Sequence, residues 1–379
     1  MRNVSSAFRL RSMRKLVTAC GFLLATAPGI TQWQMQKSNT TADLRGIYAV
    51  GNGVAWASGT NGTVQRTADG GYVWQTCSVP PGAEKMDFRG VQAFDANTAI
   101  VMSSGPGDLS RLYKTTDGCR TWKLVFTNPD KEGFWDSLRM WTPVDGFLAG
   151  DPVGGVFYFA ESTSYQGKFL DARKGASWKA KPGEGAFAAS NSSLAIAPLA
   201  KKDSDAREVW FATGGSSGSR IFHYKHFNGG EHERERLSVA EVPGFQKLNS
   251  AGVFSIGFRD SKTGVAVGGD YKNPDAASNN AAYTNDGEHW TVPKSLPHGY
   301  RSSVAYDSAL KIWITVGPNG TDVSTDDGKN WRAVHPDAAR HESPDADRNW
   351  NAISLPYVIG PKGRIGRLDP DALKPALKP

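Results

Sequence analysis

An eight-residue pattern, Ser/Thr-x-Asp-x-Gly-x-x-Trp, recurs along the chain and constrains its fold more than any bulk property. It stands as STDDGKNW at Ser324 to Trp331, TADGGYVW at Thr67 to Trp74 and TTDGCRTW at Thr115 to Trp122, with Cys119 where glycine is expected. A fourth copy, YTNDGEHW, puts Tyr283 and Asn285 at the hydroxyl and carboxylate positions ahead of Gly287 and Trp290. A worn fifth, DARKGASW, keeps Gly175 and Trp178. An Asp or Ser/Thr side chain can bond the N–H groups of its own turn, glycine takes positive φ, and tryptophan pins the turn to a core. Thr67, Asp69, Gly71, Trp74, Thr115, Asp117, Trp122, Asn285, Gly287, Trp290, Ser324, Asp326, Gly328 and Trp331 are therefore expected to be structural.

Seven units emerge when each is read as an inner strand, a strand closing on glycine, a return strand and a Trp-ended turn. The closing glycines are Gly59, Gly105, Gly150, Gly214, Gly268, Gly317 and Gly360, spaced 43 to 64 residues apart. That period predicts an all-β, seven-bladed β-propeller of four-stranded antiparallel blades. The length of 379 residues would otherwise suggest two or three domains. The last unit lacks a fourth strand, and TQWQMQK at Thr31 to Lys37 alternates correctly without belonging to the first unit. It is expected to pair with the last blade, closing the ring and removing an exposed edge. Residues 31–368 then form one domain, and 369–379, rich in proline, a flexible tail.

Residues 1–30 read as a secretory signal whose start falls at Met1 or Met13. Basic residues precede the apolar run Leu16 to Ala27, which is too short to span a bilayer comfortably. An uncleaved anchor is the alternative. The expected location is exported: periplasm, thylakoid lumen or extracellular. Five of the basic residues lie in this segment, so the formal charge of +7 falls to about +2 without it, which argues against a nucleic-acid-coating surface. Cys77 and Cys119 are expected as two packed thiols on adjacent blades rather than a bridge, although export permits one. His223, His226 and His232 with Glu231 and Glu233 match no zinc spacing and are expected to be solvated loop residues. No metal or cofactor is expected.

The Trp-ended turns are those of the Asp-box, the bacterial neuraminidase repeat. With the G-x-x-G strand pairs before them, from Leu44 to Leu368, the chain resembles the photosystem II stability/assembly factor family of β-propellers, with sialidases as more distant relatives. The resemblance implies that the turns lie on the rim opposite the binding face, and that a partner protein is bound through a face bearing arginines. Aligning the inner strands puts Arg45, Arg89, Asp136, Phe187, Val253, Arg301 and Asn351 in one column at a channel mouth, beside Trp135, Tyr300 and Trp350. Three guanidiniums around one opening suit a carboxylate or an acidic peptide, because arginine is a planar bidentate donor. The structural alternative is that these arginines bond strand-end carbonyls or pair with Asp136 and Asp151.

The expected function is thus an exported, monomeric, non-catalytic propeller that binds a protein partner, a membrane-protein assembly client being one candidate. A sialidase-like glycosidase is the alternative, with Arg45, Arg89 and Arg301 as carboxylate clamp and Tyr300 or Tyr271 as nucleophile. Against it, Gly46-Ile47 follows Arg45 where sialidases carry Ile-Pro, and no Glu stands at an inner-strand start. A structural envelope module is a third reading.

Overall fold

A computed structural model of the chain describes residues 32–162, 168–173, 178–197, 206–227, 234–338 and 342–373. The expected signal segment, His232, Glu231 and Glu233 lie outside the described residues. So do residues 174–177, half of the worn fifth turn.

Seven antiparallel sheets form a ring of seven blades. Blade 1 runs from its inner strand outward as Leu44–Gly51, Val54–Gly59, Val64–Thr67 and Gln75–Thr76. Blade 2 starts at Phe88–Ala93, blade 3 at Trp135–Thr142, blade 4 at Leu194–Ile196, blade 5 at Ala251–Phe258, blade 6 at Ser303–Asp307 and blade 7 at Ala352–Ser354. In blade 5 the fourth position is a single bridge between Tyr283 and Thr291. Blade 7 takes its outer strand from the other end of the chain: Trp33–Gln36 pairs antiparallel with Ile365–Leu368. Trp33 is buried against Trp350 at 6.1 Å, so the expected seam closure is also a packed aromatic contact. Asn351 Nδ2 donates to Leu44 O across the same seam at 2.8 Å. Beyond it, Leu373 is buried against the core of blades 6 and 7, so the expected tail begins as a docked turn.

The recurrent closing glycine has a steric cause. At Gly150 a Cβ would stand 2.3 Å from Phe134 O, and at Gly317 2.2 Å from Tyr300 O, in each case the carbonyl just ahead of the adjacent inner strand. Any side chain would force the first two strands of the blade apart.

The Trp-ended turns sit between third and fourth strands, on the rim where first and second strands join: Gly70 N donates to Gly53 O and Gly118 N to Asn97 O. Within the first turn, Thr67 Oγ1 bonds Asp69 and receives Gly71 N at 3.0 Å, while Asp69 Oδ1 receives Val73 N. The Thr115 and Ser324 turns repeat these bonds. The Tyr283 copy departs from the expected register. Thr284 and Asp286 do the bonding, with Gly287 N on Thr284 and both Glu288 N and His289 N on Asp286. Asn285 is only the spacer, because this turn has one residue fewer between its carboxylate and Trp290.

Two further expectations are overturned. Cys77 and Cys119 form a disulfide, with Cα atoms 5.3 Å apart. The chain leaving blade 1 runs beneath the blade 2 turn, where Ser78 Oγ bonds Cys119 O and Trp122 Nε1 donates to Ser78 O at 2.9 Å, so both cysteines share one height. His223 and His226 lie on a strand, Ser219–Phe227, and are buried. Three residues apart on a strand, they face opposite sides. His223 meets Glu208 at 2.7 Å on the blade 5 side, and His226 meets Glu161 of blade 3 at 3.2 Å.

The central channel is crossed by chain. Before entering blade 4, Ala186–Ser193 bonds four other blades. Arg89 of blade 2 donates to Ala188 O, and Asn191 brackets Leu138 of blade 3. Ile256 N of blade 5 donates to Ser192 O, and Ser190 Oγ donates to Ser302 O of blade 6. The small side chains of AFAASNSS fit this confined path. The channel therefore ends as two separate cavities, one at each face.

Candidate functional site: the arginine-bearing channel mouth

Inner strands start at the face opposite the Trp-ended turns, and four of them carry a β-bulge in the half nearer that face. The residues displaced from register are Arg45, Arg89, Asp136 and Phe254 in blades 1, 2, 3 and 5. A bulge inserts a residue without a partner and re-aims its side chain. All four bulge residues line one cavity of about 460 Å3. The ring of functional side chains is thus built by a repeated backbone irregularity.

The two arginines share Asp87. Arg89 Nε donates to Asp87 Oδ2 at 2.8 Å, and its Nη1 reaches Ala188 O at 3.2 Å. Arg45 is held more loosely, with Nε 3.9 Å from Asp87 Oδ1 and a side chain about 30% exposed. Two cations on one carboxylate leave a net positive charge at the rim.

Deeper in, Asp136 is fully buried. Burial, and then the neighbouring Asp151, push its carboxyl well above the usual range, with Arg89 opposing the shift. Burial also raises Asp151, which accepts Ala186 N at 2.9 Å. Among the described residues, Asp136 Oδ2 has no hydrogen-bond partner. A protonated carboxyl there can donate a hydrogen bond to an incoming oxygen. The opposite wall is aromatic. Phe187 stacks on Phe254 with ring centroids 3.8 Å apart, Tyr300 meets Phe254 edge-on at 4.8 Å, and Tyr271 stands exposed at the rim.

The remaining expected site residues divide differently. Arg301 is fully buried: its Nε donates to Asp322 Oδ2 at 2.7 Å and its Nη1 to Tyr300 O and to Asn319 Oδ1. It precedes a strand that pairs without a bulge, so its side chain turns into the blade and away from the channel. Burial pushes this guanidinium down, with Asp322 opposing. Trp135 is buried, stacked on Phe126 at 5.3 Å, and Trp350 lies sealed between Trp33 and the Arg364 guanidinium. Asn351 serves the seam. Burial pushes the Tyr300 hydroxyl far upward, the reverse of an activated nucleophile. The column alignment missed Asp87 and placed Val253 where Phe254 stands. A legible signal existed for Asp87: ADLRG and MDFRG put an Asp two residues before each channel-facing arginine.

Fold and mouth together define a single-ring β-propeller with a charged, aromatic-walled cavity at one end of a plugged channel. No protein-family model and no curated protein sequence matches the chain. Solved structures do. A structure described as YCF48 bound to D1 peptide matches with a TM-score of 0.58 at 15% identity, over 91% of this chain and 98% of that one. YCF48 from Cyanidioschyzon merolae matches with 0.50 at 15% identity, over 90% and 99%. The WD40 β-propeller domain of Doa1 matches with 0.53 at 9% identity, over 90% and 98%. At such identities the likeness defines the fold: a YCF48-like β-propeller.

Proposed function

We propose that this chain is an exported, non-catalytic propeller that captures an extended, acidic segment of a partner protein at the arginine-bearing mouth, membrane proteins under assembly being one class of client. The observation that carries the reading is Arg45, a guanidinium with only a distant share of Asp87, poised over a cavity whose far wall is the Phe187–Phe254 stack. A peptide carboxylate would take the free N–H groups of Arg45 and Arg89, and a neighbouring apolar side chain would cover Phe254 and Tyr271. That a YCF48 structure of the same fold is described as peptide-bound supports this choice. The Cys77–Cys119 bridge suits an oxidising compartment and supports export.

The glycosidase alternative needs three arginines on one sugar carboxylate. Arg301 is committed to Asp322, so the clamp is not assembled.

The test is fluorescence anisotropy with a labelled ten-residue acidic peptide. Arg45→Glu/Arg89→Glu should weaken binding at least tenfold, about 1.4 kcal/mol or more, without changing the far-UV spectrum. Raised salt should weaken the wild-type complex. Equal affinity in the two proteins would remove the mouth as the site.

A further inference from the structure

The opposite end of the channel carries a second cavity, of about 450 Å3, in the size range of small-ligand pockets. It is walled by the far ends of the inner strands, chiefly Ile47, Tyr48, Ile196, Tyr306 and Leu355. Among the described residues two charged side chains line it, Arg139 and Arg259, and no carboxylate does. Arg259 is already occupied: its guanidinium bonds Asp327 at 2.9 and 3.1 Å and meets Asp260 at 3.2 Å. Arg139 is different. Its Nε donates to Leu194 O at 3.0 Å, and among the described residues it has no ion pair. The four N–H groups on its two terminal nitrogens have no acceptor among the described residues.

A guanidinium in a confined cavity, with no counter-charge among the described residues, costs free energy that a bound anion would recover. Burial does push Arg139 downward, and no carboxylate opposes it. The fork geometry fits a carboxylate, two oxygens to two parallel N–H donors. A phosphate would ask for a second free cation or a nest of backbone amides. Arg259 is neutralised by Asp327, so the site offers one charge. Around that charge stand aliphatic and aromatic side chains together with the polar Gln92, Ser190 and Ser354.

We propose that this second cavity binds a small amphipathic monocarboxylate, its carboxylate on Arg139 and its aryl or branched alkyl body against Tyr48, Ile196 and Leu355. The segment Ala186–Ser193 separates it from the first mouth, so the site stands independently of peptide capture there.

The test uses 4-phenylbutyrate as probe, with the neutral 4-phenylbutyramide as its isostere, on the full chain. Titration followed by ligand-observed NMR should saturate in the wild-type protein, at least tenfold more weakly with the amide and at least tenfold more weakly in Arg139→Gln. A second measurement needs no variant. Phenylglyoxal modifies accessible arginines, and mass mapping on the wild-type chain should show Arg139 protected at least fivefold by the carboxylate and not by the amide. Non-saturable binding, equal binding of acid and amide, or protection at Arg45 or Arg89 in place of Arg139 would each overturn the proposal.

Discussion

The disulfide at Cys77 and Cys119 offers the sharpest test, because two separate terms meet at one residue. The bridge closes a segment with a sequence separation of 42. Chain-entropy bookkeeping for such a loop gives about 4 kcal/mol of stabilisation through the unfolded state. Cys119 also occupies the position held by Gly71 and Gly328 in the sister turns, with φ of +63°. A non-glycine residue there costs roughly 1 kcal/mol or more. Cys77→Ala/Cys119→Ala should therefore lose about 4 kcal/mol, while Cys77→Ala/Cys119→Gly should lose only about 3. For the 379-residue chain an unfolding entropy of roughly 0.8 kcal/mol per kelvin converts these losses into melting-temperature drops of about 5 °C and about 4 °C. Differential scanning calorimetry under non-reducing conditions measures both, and a reductant should bring the wild-type protein close to the alanine pair. Two outcomes would refute the reasoning: an alanine pair melting within about 1 °C of wild type, or a glycine variant no more stable than the alanine one.

The shortened turn of blade 5 makes a paired prediction: Asp286→Ala should cost about 1–2 kcal/mol by stranding Glu288 N and His289 N, while Asn285→Ala should stay within about 0.5 kcal/mol, both read by urea denaturation. The mouth acids predict a pH dependence. Because the folded-state pKa of Asp136 and of Asp151 is raised, the native state holds more protons than the unfolded chain above the ordinary aspartate range, so stability falls as pH rises from about 4 toward the folded-state values. Asp136→Asn, which removes the larger contribution, should flatten that fall in urea titrations run between pH 4 and 8; an unaltered slope would mean the carboxyl is ionised in the native state.

Much of the architecture was legible because it depends on local rules that repeat. Most closing glycines, Gly59, Gly150, Gly268, Gly317 and Gly360 among them, mark a carbonyl that would strike a side chain, and each Trp-ended turn satisfies its own N–H groups, so seven units could be counted without any long-range information. The seam was legible for the same reason: a chain short of one strand at one end and long by one at the other can satisfy both edges only by joining them. What escaped was whatever depends on a one-residue shift. Reading the blade 5 turn back from Trp290 placed Asn285 on the carboxylate position, although Thr284 and Asp286 keep the Thr-x-Asp pair intact. Placing Cys77 just past one Trp-ended turn and Cys119 inside the next set them at different heights on adjacent blades and so kept them apart, and assigning His223 and His226 to a loop hid a strand that sends each to a different carboxylate.

The site shows the same limit from the other side. Alignment of strand starts treats every blade as equivalent, and that is true of the hydrogen-bonded ladder but not of the residue that enters the channel. In blades 1, 2, 3 and 5 a bulge turns one side chain inward, and the residues so turned are Arg45, Arg89, Asp136 and Phe254. Blade 6 pairs without such a shift, so Arg301, although it aligns by sequence, bonds Asp322 inside its own blade. Blade 4 reaches the mouth through a segment outside any inner strand, which is why Phe187 lands there while Leu194, the first residue of that strand, does not. An arginine followed by glycine, as at Arg45-Gly46 and Arg89-Gly90, marks two of the four bulges; at Asp136-Ser137 and Phe254-Ser255 a serine follows, as it does in the unbulged Arg301-Ser302. The glycines answer a crowding constraint: a Cβ on Gly46 would meet Ser58 Oγ at 2.7 Å, and one on Gly90 would meet Asn191 Oδ1 at 2.8 Å. At these two bulges the glycine permits the close approach of its neighbours, so which arginines face the channel depends on local backbone geometry more than on their place in a column.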